Sequence, residues 1–121
     1  MSDLTVNETL FLLRDSRRRY VLDALQSETS IELSELADRV AALEHGDDYS
    51  DEQRKATYVS LKQTHVPNLD EHDVVEYRGL ANIVVPGDEF GVASNILTTV
   101  RETLDTDFKK RLNTAEAPPE R

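Results

Sequence analysis

The sequence predicts a mainly α-helical α+β fold, and three observations carry that prediction. Apolar residues recur at helical spacing in several separate stretches. Capping residues precede most of those stretches. Two short β-branched runs, at 74–77 and 82–85, flank a tip that contains a glycine. The chain has 121 residues, of which 38% are hydrophobic, enough for one domain with a modest core. Aromatics are 6% and Trp is absent, so that core is aliphatic.

Val6, Leu10 and Leu13, with Phe11 beside them, predict a helix over 5–14. Asp15-Ser16 offers the N-cap of a second, over 17–26, with Tyr20, Val21, Leu22 and Leu25 facing inward. Ile31 to Leu33 reads as a short strand or an extended link. Ser34 and Glu35 supply the cap and first-turn charge of a third helix, whose stripe is Leu36, Ala37, Val40, Ala41 and Leu43. His45-Gly46-Asp47-Asp48 ends it. Ser50, with Gln53 three residues on, makes a capping box for a fourth helix from Asp51 to about His65. Pro67 blocks its simple continuation, and a short turn or helix holds Leu69. VVEY at 74–77 and NIVV at 82–85 form a hairpin, with Gly79 available in its tip for a positive φ. A last helix over 88–113 carries Ala93, Ile96, Leu97, Val100, Leu104, Phe108 and Leu112 at spacings of three and four. The polar, Pro-rich tail at 114–121 is expected to be disordered.

This order of elements is that of a winged helix-turn-helix domain over 5–87, followed by a C-terminal helix over 88–113. In that fold the fourth helix lies in the DNA major groove and the hairpin is a wing beside the backbone or minor groove.

Charge sharpens the expectation. The 24 acids against 14 bases give a net charge of −10, and the bases are mostly Arg. An acidic, Lys-poor surface suits a cytoplasm of molar salt, where carboxylates hold water and cations and their repulsion is screened within ~3 Å. Loosely bound K⁺ or Na⁺ at acids such as Asp47 and Asp48 fits the same picture. Yet residues 53–69 contain no Asp or Glu, and neither do 77–87. A polyanionic partner would exclude negative charge from those stretches.

Other functions have little support. With no Cys there are no disulfides, thiolate metal sites or cysteine nucleophiles. The four Gly are isolated, so no phosphate-cradling loop is present, and no Ser or Thr stands in a nucleophile elbow. His65, Asp70, His72 and Asp73 lie close in sequence, but the spacing crosses a turn, and capping or surface roles suit them better than metal ligation. No run is apolar enough to span a membrane, and MSDLTVNETL lacks the basic start of a secretory signal. The expectation is a cytoplasmic non-enzyme without a resident cofactor or metal.

On the fourth helix, Arg54, Lys55 and Lys62 supply cations. Tyr58 and Gln63 add groups able to reach base edges or phosphates. Leu61 and Thr57 point inward, which makes Lys55, Val59 and Lys62 the outward face. Arg78 at the wing tip and Asn82 across the hairpin are further DNA candidates. Arg17, Arg18 and Arg19 oppose the dipole of the helix they begin, so stability alone does not explain them. One is expected to pair with an acid, and Arg18 to touch a phosphate.

RRRYVLDAL at 17–25, ELSELADRVA at 32–41 and HVPNLDEHDVVEY at 65–77 resemble segments of archaeal winged-helix regulators of the PadR and ArsR type. Taken with the helix start at 50–55, the combination resembles the small acidic winged-helix regulators of haloarchaea, over residues 9–87. The link EHGDDYS at 44–50 is longer and more acidic than the turn of a minimal helix-turn-helix, and the ArsR metal-sensing cysteines are missing. The resemblance implies a homodimer on pseudo-palindromic operators. Leu10, Phe11, Ile96, Leu97, Val100, Leu104 and Phe108 would form its interface, and the basal transcription machinery is a further partner. The alternative is a winged-helix protein-interaction module without a specific DNA site.

Overall fold

In the computed structural model, residues 3–116 are described, with side chains to Thr106. The fold is α+β and mainly helical, with one small antiparallel sheet. Helices α1 (Val6–Arg14) and α2 (Ser16–Leu25) lead into strand β1 (Ile31–Glu32), which runs directly into α3 (Leu33–His45). After a loop, α4 (Asp51–Ser60) passes through a π turn (Leu61–His65) into α5 (Val66–Glu71). Strands β2 (Val75–Arg78) and β3 (Ile83–Pro86) form the hairpin, and α6 (Phe90–Glu116) closes the chain.

The caps explain most boundaries. Thr5 and Glu8 form a capping box at α1, and Ser50 and Gln53 form another at α4, each satisfying two backbone donors. The Asp15 carboxylate accepts from the Arg17 amide at 2.8 Å and starts α2. Gly46 ends α3 at φ 94°, a conformation that a side chain would disfavour. Gly87 answers a different need. A Cβ there would sit 2.4 Å from the Asp73 carbonyl oxygen, where the base of the hairpin turns toward α6.

Several expectations are corrected. Ser34 does not cap α3. The N-cap is Glu32 without a side-chain bond, because β1 delivers the chain straight into the helix. Pro67 does not end the fourth helix, because the π turn sets it in the first turn of α5, where its missing N–H costs no helical bond. The positive φ of the hairpin belongs to Asn82, at 55°, and not to Gly79. Leu43, expected in the inward stripe of α3, is exposed. On α1 the buried positions are Thr9 and Leu12, while Val6 and Leu10 face solvent. Helix α6 begins at Phe90 and runs to Glu116, beyond the predicted end at 113. Phe108 and Leu112 belong to it, but their side chains lie outside the described residues, as does the rest of the expected tail from 117.

The sheet has the order β1-β3-β2, with Ile31 opposite Val84 and Tyr77 opposite Val84 on the other edge. Its buried face joins Leu22, Leu25, Leu33, Leu36, Leu61 and Leu69 in one aliphatic cluster. Each fully buried Leu is worth about 1.5–3 kcal/mol relative to exposure. Helix α6 docks through Ala93 and Leu97, through a hydrogen bond from the Gln26 amide to the Ser94 hydroxyl, and through a paired contact of Arg101 with Asp23 at 2.7 and 3.1 Å.

Candidate nucleic-acid interface

Helix α4 packs on α3, and its inward side is fixed by Thr57 and Leu61, both fully buried. Helical spacing then turns Lys55, Val59 and Lys62 outward, and all three are exposed together with Gln63. Neither lysine side chain makes a hydrogen bond or ion pair among the described residues. Tyr58 is half-buried against the core, so its ring serves packing.

Arg54 is withdrawn from this face. Its Nε donates to Asp38 at 2.5 Å and its Nη2 to the Ser34 hydroxyl at 2.6 Å, which fastens α4 to α3. Asp38 also accepts from the Tyr49 hydroxyl at 3.0 Å, so it organises the acidic loop as well. Ser34 and Asp38 stand one turn apart on α3, and that spacing was the available sequence signal for a shared partner.

Arg18 is a clear correction. It is 4% exposed and has no path to a phosphate. Its Nε donates to the Leu12 carbonyl and its Nη2 to the Phe11 carbonyl, both at 2.7 Å, and Nη1 lies 3.1 Å from His65 Nδ1. The guanidinium also lies 4.8 Å from the centre of the Phe11 ring. Arg17, beside it, pairs with Glu44 at 2.8 Å, so α2 is tied to α3 by the acid pairing expected of one of the three arginines. Arg19 donates to the carbonyls of Leu13 and Arg14 at 2.7 and 2.9 Å, and so caps the end of α1.

On the hairpin, Arg78 is exposed but pairs with Glu76 at 3.0 Å, which raises the arginine's pKa and lowers that of the acid. Asn82 is structural. Its side-chain oxygen accepts from the Tyr77 hydroxyl at 2.6 Å, and its carbonyl accepts from the Leu33 amide at 2.9 Å. The hairpin is thereby fixed to the start of α3. It is also fixed to α5, where Asp70 accepts from the Tyr77 amide at 3.1 Å. At the tip, Leu80 is fully exposed.

His65 and His72 do not converge. His65 faces Arg18, while His72 Nδ1 lies 2.9 Å from the Asn68 carbonyl and its Nε2 3.8 Å from Glu8. Among the described residues no three His, Asp or Glu are grouped as metal ligands.

Of the residues expected at a dimer interface, Leu97 is buried within the chain's own core. Leu10, Ile96, Val100 and Leu104 line an open apolar groove of about 590 Å³ between α1 and α6, with no acid among its lining residues. Leu10 is 64%, Val100 46% and Leu104 63% exposed, and Phe11 is exposed beside α2.

A family profile described as "Domain of unknown function (DUF7344)" matches residues 10–85. The chain belongs to the DUF7344 family. The match takes in the body of the fold from α1 to β3, including the Lys55–Gln63 face, and stops before α6. No curated protein and no solved structure matches the chain. Among the described residues, no helix is long and apolar enough to cross a membrane.

Proposed function

We propose that this DUF7344 chain is a winged helix-turn-helix transcription regulator that binds duplex DNA as a homodimer. Helices α3 and α4 make the helix pair, β2–β3 the wing, and the face of α4 and its π turn enters the major groove. One observation carries the reading. Lys55, Val59, Lys62 and Gln63 are exposed, their side chains have no internal partner among the described residues, and residues 53–69 around them contain no acid, in a chain of net charge −10. Lysines that nothing inside the molecule uses suit phosphates, and Gln63 is able to pair with an adenine edge. The exposed apolar residues of α1 and α6 are where a second copy would seat, giving two recognition helices related by a two-fold axis.

At molar salt, counterion release supplies little affinity. Binding then relies on hydrogen bonds, shape and cations that bridge acids to phosphate, so its salt dependence is expected to be shallow or inverted. The test is occupancy of the tagged chain across the genome of its own host. Sharp peaks that share a pseudo-palindrome, and that vanish in the Lys55→Ala/Lys62→Ala variant, are expected.

A second reading, a protein-interaction module, draws on the wing. Its Arg78 is neutralised by Glu76 and its tip presents the apolar Leu80. A flat occupancy profile at full expression would favour it.

A further inference from the structure

We propose that Arg18 and His65 form a latch that positions the Lys62–Gln63 end of the basic face, and that protonation of His65 opens it. What that face binds is taken from the proposed function; the latch rests on contacts inside the chain.

Residues Leu61–His65 form a single π turn, closed by the Val66 amide bonding to the Leu61 carbonyl. Such a turn holds one residue more than an α turn and recurs at functional sites. Here it turns both His65 and Val66 inward while Lys62, Gln63 and Thr64 are exposed. The orientation of the two DNA-facing side chains is therefore that of the turn.

The turn is anchored from outside its own helix. Arginine only donates, so the 3.1 Å contact of Arg18 Nη1 requires His65 Nδ1 to be the acceptor. The ring is then neutral, with its proton on Nε2, which lies 3.8 Å from Asp15 Oδ1. Arg18 is itself immobilised by the Phe11 and Leu12 carbonyls and the Phe11 ring, so the latch runs from the end of α1 to the recognition helix.

The charged groups facing His65 are Asp15 from the link before α2, Arg17 and Arg18 from α2, and Glu44 from α3. Burial opposes protonation most strongly, and Arg18 and Arg17 add to it, while Asp15 and Glu44 favour the charged ring. Once protonated, Nδ1 no longer accepts, and Arg18 faces a second cation at hydrogen-bond distance. The remaining favourable contact is Nε2–H to Asp15, which draws the ring toward the cap of α2 and away from Arg18. The turn thus has two arrangements, one for each protonation state, and Lys62 and Gln63 move with it.

The experiment is an NMR titration of the full chain without DNA, following the His65 ring and the amides of Lys62 and Gln63. We expect the ring to titrate below the ordinary value of ~6.5 and the two amides to follow the same curve. In His65→Gln, which keeps an acceptor for Arg18 but does not titrate, that curve should vanish. Amides that ignore the His65 curve in the wild type overturn the latch, and so does the same curve persisting in His65→Gln. On an operator duplex, wild-type affinity should fall about tenfold for each unit by which binding lowers the His65 pKa, and His65→Gln should lack that component. Absence of duplex binding at every pH overturns the DNA reading alone, because the amide titration needs no duplex.

Discussion

Two basic regions of this acidic chain serve opposite purposes. The arginine run at 17–19 is spent inside the molecule. Arg17 goes to Glu44, Arg18 to two carbonyls and His65, and Arg19 to two carbonyls at the end of α1. The lysines of α4 and its π turn, Lys55 and Lys62, have no side-chain partner among the described residues. The contrast extends across the described chain. Arg39, Arg54, Arg78 and Arg101 pair with acids, and Arg14 lies over the Phe11 ring at 5.5 Å. The physical reason is the shape of the two side chains. A planar guanidinium with five fixed donors can satisfy several carbonyls and a carboxylate at once, whereas an ammonium is a compact, strongly hydrated charge on a flexible stem. Among the described residues Arg17, Arg18, Arg39, Arg54 and Arg101 tie parts of the fold together, while Lys55 and Lys62 are presented to solvent.

The largest expected effect comes from the internal region. Arg18→Met keeps the apolar stem but leaves the Phe11 and Leu12 carbonyls and His65 Nδ1 without their donor. A loss of about 3 kcal/mol in chemical denaturation is expected. A variant as stable as the wild type would remove Arg18 from the framework and break the contrast. Next is the presented region. Lys55→Ala/Lys62→Ala should weaken operator binding by at least about 1.4 kcal/mol, with stability changed by less than about 0.5 kcal/mol. Equal loss of stability and binding would mean that these lysines are structural after all.

Asp38→Ala tests an arginine at the boundary between the two classes. It frees Arg54 and the Tyr49 hydroxyl at a half-exposed site, and should cost about 1 kcal/mol in thermal melts. Any gain in DNA affinity would come from the released Arg54 joining the lysine face. The smallest effect is in pH. Burial of His65, with Arg18 beside it, lowers its pKa in the folded chain, so the unfolded chain binds the proton more readily. Stability should therefore be full above ~6.5, the ordinary histidine value, and fall as pH drops through it toward the lower folded value. Melts of wild type and His65→Gln between pH 7.5 and 5.5 isolate this component. An identical slope in both would place the titration elsewhere.

Local signals made much of this legible in advance. Capping at Asp15 and Ser50, the stop at Gly46 and the two hairpin strands depend on neighbours within a few residues, and they lie within one residue of where the sequence puts them. The Lys55–Val59–Lys62 face was legible for the same reason, since Thr57 and Leu61 define the inward side of one helix. Part of what failed was local, as with Arg78 and Glu76, and part involved partners far apart in the chain. Arg18 and His65 are separated by 47 positions, and Arg54 and Ser34 by 20. Nothing in a charge count distinguishes an arginine that will be buried from one that will reach a phosphate.

The sequence by itself determined most of the helices and the hairpin, the aliphatic character of the core, and where acids are excluded. Those properties follow from propensity, periodicity and composition, all of which act over short range. Only the tertiary structure decided that the helix continues through Pro67, that Asn82 takes the positive φ, and which cations are consumed and which are presented. A buried donor must find acceptors wherever packing brings them, and that pairing exists only after the elements have assembled.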